Sequence, residues 1–267
     1  MVLKATHQLS RRQIDALAVL PVSGQLAVLA GKSPLSPRPF HRHPSDPRPL
    51  TPDQTVSLHK LDNPATKGNT KALTQARYAQ AFAATTYLAP GKADGDATPS
   101  KVKRDLLVVG CSKKAVVYGA GARLGEAWEL SLQHTPRAVI FPAPVYADLP
   151  GAVHLLYSPQ ASTLLHIKPG PPAQRLSASD LPMGGYPGPK GGVARPAAPE
   201  SGWGRLGGFM RGAAIPVGTR TVGGEVALVR DDLGVFFSSE GNFTRDESLH
   251  WPAVPEALGE LIHPGAS

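Results

Sequence analysis

Short apolar runs that alternate with polar residues and break at tight turns recur along this chain, and the last patterned stretch shows the rhythm most fully. Glu225 to Pro255 reads EVALVRDDLGVFFSSEGNFTRDESLHWPAVP. Val226 and Leu228, then Val235 and Phe237, flank a turn at Asp231-Asp232-Leu233-Gly234. A second turn at Ser239-Glu240-Gly241-Asn242 leads into Leu249-His250-Trp251-Pro252. Strand, turn, strand, turn and third short strand make an antiparallel meander, because period-two alternation suits a half-buried strand and these turn residues reverse the chain. The stretch holds no catalytic constellation.

Composition enters as a limit on how much of the chain is patterned in this way. With 267 residues and 41% hydrophobic content, the chain can bury a substantial core. Yet 28 Gly and 28 Pro make up about a fifth of it, against roughly one in eight on average, so many turns and unstructured loops are expected. A single cysteine, Cys111, rules out an internal disulfide and any multi-cysteine zinc site and fits a reducing compartment. The opening MVLKATHQLSRRQ lacks an apolar core of the kind a signal peptide needs, and no run approaches eighteen apolar residues. A soluble cytosolic protein is expected.

The net charge of +8 raises the question of acidic partners. Its distribution points away from a dedicated nucleic-acid face, since much of the excess lies in loop-like stretches, Lys32 to Arg48 and Lys101 to Arg104. A basic solvated loop is the preferred reading. Weak attraction to an anionic membrane surface is the next.

Along the chain, Ile14 to Ala30 reads as a hairpin, IDALAVL and QLAVLA around Pro21-Val22-Ser23-Gly24. A basic insert over residues 31–54 carries seven prolines, which cannot donate ladder hydrogen bonds, and is expected to be disordered. Thr55 to Leu61 resumes as the outer strand of the same unit. Ala76 to Leu88 is Ala-rich, which favours helix, but Tyr78, Phe82, Thr85, Thr86 and Tyr87 favour strand, and its neighbours tip it to β. After a linker over 90–103, Asp105 to Tyr118 is a strong hairpin whose turn, Cys111-Ser112-Lys113-Lys114, exposes both lysines. Glu126 to Leu132, Arg137 to Phe141, Val153 to Tyr157 and Thr163 to Lys168 continue the strand series. Residues 169–224 are a second low-complexity insert of Pro, Gly, Ala and Ser, too poor in apolar surface to order fully.

Strands at short, regular spacing with no helices between them imply an all-β sandwich, barrel or propeller. A propeller blade takes roughly 40 to 45 residues, which leaves room for about four or five blades once the inserts are removed.

Several motifs compete with a purely structural reading. Gly119-Ala120-Gly121-Ala122-Arg123-Leu124-Gly125 follows a strand and has the look of a relaxed dinucleotide loop, G-x-G-x-x-x-G. That chemistry needs a helix N-terminus next, facing the pyrophosphate, whereas EAWELSLQHTPR is short and leads into more strands. A nucleotide-binding enzyme using Gly119, Gly121 and Gly125 is therefore the weakest alternative. The nine histidines are scattered, with His41 and His43 in the basic insert and His59, His154 and His166 in strands, and none has metal-ligand spacing. No G-x-S-x-G elbow marks a nucleophile. Lys113 and Lys114 are placed to lower the pKa of Cys111, but a structural cysteine at a strand end is preferred. Asn242-Phe243-Thr244 is a formal glycosylation sequon read as a turn. No catalytic residue, cofactor or metal ligand is assigned.

Trp128 and Trp251 lie in strands and read as core or inter-blade packing. Trp203 differs, because it sits with Leu206, Phe209, Met210 and Ile215 in a glycine-rich loop. That cluster is either a small plug docked on the domain, the preferred reading, or an anchor for a partner. Trp203, Leu206 and Phe209, with Lys113 and Lys114, are the candidate partner-binding residues.

Leu9 to Ala30, Val56 to Leu61, Asp105 to Tyr118, Leu130 to Phe141 and Glu225 to Pro255 together resemble the citron homology domain, a WD40-like propeller. The form they resemble stands at the N-terminus of fungal vacuolar and endosomal tethering subunits and of the TGF-beta receptor-associated protein family. The resemblance implies a partial citron homology propeller over 1–267 and a non-enzymatic role in HOPS- or CORVET-type vesicle tethering. Its partners would be a Rab-family small GTPase and other tethering-complex subunits, not nucleic acid. Its location would be cytoplasmic and peripheral on the endosome or vacuole membrane. In that family the propeller runs on into an α-helical solenoid, whereas this chain stops soon after Trp251-Pro252, so a fragment or a truncated gene model is expected. The alternative within the same fold is the citron homology module of a Rho-type signalling kinase or exchange factor.

Overall fold

The computed structural model describes residues 9–10, 13–31, 54–62, 69–90, 101–119, 126–142, 151–158, 161–168, 175–181, 217–221, 223–230, 233–245, 248–251 and 258. Among them, sixteen strands form four antiparallel sheets of four, and in every sheet neighbours in sequence are neighbours in space. The chain divides into two compact units, Met1–Thr135 and Pro136–Ser267, with two sheets in each. The fold is all-β and blade-like, as expected. Among the described residues no helix is long and apolar enough to cross a membrane.

In the first unit, β1 (Ile14–Leu20) and β2 (Gln25–Ala30) pair around the turn at Pro21–Gly24, where the Ser23 hydroxyl donates to the Leu20 carbonyl at 3.3 Å. β3 (Thr55–Lys60) pairs with β2 from Ala30↔Thr55, so the 31–54 insert springs from two adjacent strand ends. Such an insertion costs little beyond loop closure, which grows only slowly with length. Apart from Gly31 and Gln54, that insert lies outside the described residues. The outer strand is not β3 but β4 (Thr70–Arg77), which pairs along it.

The stretch Ala76 to Leu88 is not one strand. β4 ends at Arg77 and β5 (Ala81–Pro90) begins a different sheet. No glycine or proline marks the break; Tyr78 makes it by adopting a left-handed φ of 58°. The Ala79 amide then donates to Gln54 O at 3.2 Å and the Gln80 amide to Gly110 O at 2.8 Å, pinning the crossing.

β6 (Lys101–Cys111) pairs with β5 from Ala81↔Gly110 to Pro90↔Lys101. The 90–103 linker is therefore shorter than expected, because Pro90 and Lys101–Lys103 lie in strands and Lys101 to Arg104 is no loop. Residues 91–100 lie outside the described residues. β7 (Lys114–Tyr118) and β8 (Ala127–Ser131) complete the second sheet. β1 abuts β5, so the first strands of successive sheets lie together, the relation of neighbouring propeller blades. Between the sheets Leu20, Leu29, Val56 and Leu58 pack with Leu107, Val109, Val116 and Tyr118 around Ala76 and Ala79. Each fully buried aliphatic side chain there contributes about 1.5–3 kcal/mol by area removed from water.

The second unit repeats the plan. β9 (Ala138–Ile140), β10 (Ala152–Ser158), β11 (Ala161–Ile167) and β12 (Leu176–Asp180) form the third sheet. β13 (Gly218–Arg220), β14 (Val226–Arg230), β15 (Leu233–Phe237) and β16 (Leu249–His250) form the fourth. The expected insert over 169–224 is thus bounded from within by two strands. β12 escaped the pattern because it buries only its first residue, and β13 because it is three residues long. A Cβ on Gly218 would lie 2.6 Å from Ile140 Cδ1 and 2.7 Å from Leu228 Cδ2, so a larger residue where β13 approaches β9 and β14 would require the ends of those two side chains to shift. The closing meander pairs Arg230 with Leu233, which makes Leu233 and Gly234 strand residues, not part of the turn.

Candidate functional site

The two lysines at the β6–β7 turn have different fates. Ser112 and Lys113 form the turn, and Lys113 holds a left-handed φ of 52° with its amide donating to Thr135 Oγ1 at 3.2 Å. Lys113 is exposed. Lys114 instead opens β7, is half-buried, and its Nζ donates to Glu129 Oε2 at 3.1 Å. The expectation that both lysines lie at the exposed turn is corrected for Lys114: strand pairing with Cys111 draws it into the sheet beside an acidic neighbour. Such a surface pair is worth about 1 kcal/mol at most.

Cys111 is buried, and burial pushes its thiol up to about 11, which outweighs the lowering by the Lys114 charge. At neutral pH it is a thiol, not a nucleophilic thiolate. Burial likewise raises the Tyr118 hydroxyl above its usual range.

Gly119 follows β7 with φ 84°, and its carbonyl accepts a hydrogen bond from the Tyr87 hydroxyl at 2.8 Å. Gly121 and Gly125 lie outside the described residues. The next described element is β8, antiparallel to β7, so the helix N-terminus that a pyrophosphate loop requires is replaced by a strand. Among the described residues, no helix N-terminus of the kind that the nucleotide-binding alternative for Gly119, Gly121 and Gly125 needs follows Gly119. Trp203, Leu206 and Phe209 also lie outside the described residues.

The tryptophans only partly match their expected roles. Trp128 is half-exposed on β8, with Nε1 donating to Glu126 Oε1 at 3.1 Å, so it does not belong to the buried core. Trp251 follows β16 and is half-buried, its Nε1 close to Gly234 at 3.2 Å from where a Cβ would stand.

Two polar knots were not foreseen. Asp105, buried between the first two sheets, accepts from the Ser23 amide at 2.7 Å, the Val22 amide at 3.3 Å and Thr86 Oγ1 at 3.1 Å. A carboxylate cradled by successive turn amides is held strongly, because each bond is charge-assisted and shielded from water. His59, also buried, has Ser57 Oγ at 2.9 Å from Nε2 and Thr70 Oγ1 at 3.2 Å from Nδ1. Serine and imidazole side by side suggest a nucleophile and its base, but here the ring spends its second nitrogen on Thr70 rather than on an orienting carboxylate. These groups join β3 to β4. In the second unit Arg245 forks onto Glu225, with Nε 3.3 and 3.2 Å from the two carboxylate oxygens, and lies 3.8 Å over the Phe236 ring. That guanidinium holds the Glu225 carboxyl below the usual carboxylate range.

The first sheet has one face turned toward the core; on the other, the edge strand β1 leaves apolar side chains exposed while Val28 and His59 further in are buried. Leu17 and Val19 on β1 are 54% and 56% exposed. They pair in register with Val28 and Leu26. Val22 and Leu61 are exposed beside the β1–β2 turn, where the Leu61 amide donates to Gly24 O at 2.9 Å.

No protein-family model matches the sequence, and neither does any curated protein. Among solved structures the chain is similar to the CNH domain of AfRom2, at 12% identity and a TM-score of 0.45, covering 92% of this chain and 60% of that one. It is similar also to the β-propeller domain of Myceliophteria thermophila Cps50 (Swd1), at 10% identity and a TM-score of 0.45, covering 92% of this chain and 57% of that one. The chain therefore spans about 60% of the length of these structures. Likenesses this distant say nothing of partner or activity, and the fold class stands on the four meanders themselves.

Proposed function

We propose that this chain is a non-enzymatic interaction module of a vesicle-tethering subunit, peripheral on the endosome or vacuole membrane, that binds a Rab-family small GTPase. The observation that carries the interaction role is the exposed apolar edge of the first sheet, Leu17 and Val19 on β1 with Val22 and Leu61 at the neighbouring turn. Grouped apolar side chains left in water on an otherwise packed sheet are a common mark of a protein-binding surface. The tethering context and the Rab partner rest on the resemblance of the strand-bearing stretches to the citron homology domain of tethering subunits.

The test is retention of a panel of endosomal Rab proteins, loaded with GTP or GDP, on the immobilised chain and on a Leu17→Ser, Val19→Ser variant. Both substitutions are at exposed positions and should leave folding intact. GTP-dependent retention that drops at least tenfold in the variant is expected. Retention of Rho-type GTPases in place of Rabs would favour the signalling-module alternative. Equal, nucleotide-independent recovery from both chains would discard GTPase binding altogether.

A further inference from the structure

His154 lies midway along β10, paired with Ile140 of β9 and Leu164 of β11, and is fully buried. Alternation puts it on the same face as Ala152 and Leu156, which line the core toward the fourth sheet. The ring of Phe237 stands nearby, with centroids 6.2 Å apart. Neither Nδ1 nor Nε2 makes a hydrogen bond of normal geometry, although the Ser238 backbone lies close enough to act on the ring, and the buried Ser162 hydroxyl, on the same face by its register opposite Leu156, has no partner. A neutral imidazole always carries one donor and one acceptor, so this core already tolerates unpaired polar atoms. An imidazolium would add a second donor and a full charge in an apolar setting.

Among the described residues, the charged and titratable neighbours offer that cation no anion. On the same face of β11 is His166, with Nε2 2.8 Å from Ser179 Oγ. Arg220 on β13, opposite Val226, shares the face of the fourth sheet that looks toward the core and is cationic. His250 of β16 pairs with Leu233, at the opposite end of β15 from Phe237. Neither β9 nor β15 carries a titratable side chain. Tyr157 on β10 and Asp180 on β12 occupy positions on the other face of the third sheet, as Glu225 does on the fourth.

We propose that His154 is a proton-sensitive latch in the second unit: neutral, it is accommodated between the third and fourth sheets, and protonation loosens the packing of β10 against β15. Burial pushes its pKa from 6.5 down to about 4, and the Ser238 backbone only partly opposes the shift. The folded pKa is thus depressed below the unfolded value. As pH falls from 6.5 toward 4 the unfolded chain takes up a proton that the folded unit refuses, so stability is present above this window and lost within it. Between pH 7 and pH 4.5 this group alone raises the unfolding constant by about fifty-fold, given those two pKa values.

The experiment is urea unfolding of the full chain at intervals from pH 7 to 4.5. Hydrogen exchange of peptides from β10, β14 and β15 reads the second unit. Wild type is compared with His154→Leu and His154→Gln, neither of which titrates. The wild type should lose stability more steeply than the variants by about one proton across the window. The native His154 ring, followed by NMR, should stay neutral to below pH 5. Parallel pH profiles in all three proteins overturn the proposal. If neither variant folds, the NMR titration decides, and a native ring that titrates near 6.5 overturns it.

Discussion

In the first unit the buried Asp105 carboxylate accepts three hydrogen bonds and both ring nitrogens of His59 face hydroxyls. In the second unit the His154 ring and the Ser162 hydroxyl are buried with no partner, although Thr163 does reach Asp180 at 3.2 Å. The first unit has unpaired groups of its own, the Tyr118 hydroxyl and Gln25 Oε1, but neither gains a positive charge on mild acidification. The contrast teaches where specificity is stored. Asp105 reaches 82 residues back to the Ser23 amide, so it selects which turn meets which sheet. The core of the second unit relies on apolar contact, with the Phe237–Phe243 pair at 4.8 Å among its main contributors. A core built that way accepts many alternatives of similar volume, but a charge appearing inside it has no counterpart.

The most severe way to break the contrast is Asp105→Ala. It leaves two turn amides and the Thr86 hydroxyl without their acceptor, and a loss of about 3 kcal/mol is expected in urea unfolding. Asp105→Asn, which keeps one acceptor oxygen, should recover about half of that. The histidines give a sharper comparison at smaller cost. His59→Leu removes the partner of Ser57 and Thr70 and should destabilise the first unit by about 1–2 kcal/mol, whereas His154→Leu removes unpaired atoms and should be neutral or stabilising by about 1 kcal/mol at pH 7. Destabilisation of equal size by both changes, in the same assay, would mean that the imidazole of His154 is satisfied in solution. The smallest effect is Lys114→Ala, which should shift the urea midpoint by less than about 1 kcal/mol in stability and lose its effect at high salt.

The Ile14 to Ala30 hairpin was legible because its alternation is strong and its turn carries Pro and Gly, and the expected range covers both observed strands end to end. The break at Tyr78 was not, since a left-handed tyrosine leaves no compositional trace. Nor was β12, LSASD, whose strand character comes from its ladder with β11 rather than from its own side chains. At the candidate site, the turn position of Lys113 followed from the hairpin pattern, but the pairing of Lys114 with Glu129 depends on a cross-strand register that a single strand does not encode. The exposure of Leu17 and Val19 was likewise hidden, because an apolar residue in an alternating run carries no mark of whether a second sheet covers it.

By itself the sequence determined that this chain is built of short antiparallel strands in consecutive meanders, because period-two alternation and turn chemistry are local properties. Only the tertiary structure decided which aspartate is cradled by a distant turn, which histidine is bracketed by hydroxyls and which sits in an apolar core, and which apolar edge stays in water. Those outcomes depend on what lies across a sheet rather than along a strand, and hydrogen-bond satisfaction is settled only when the far partner arrives.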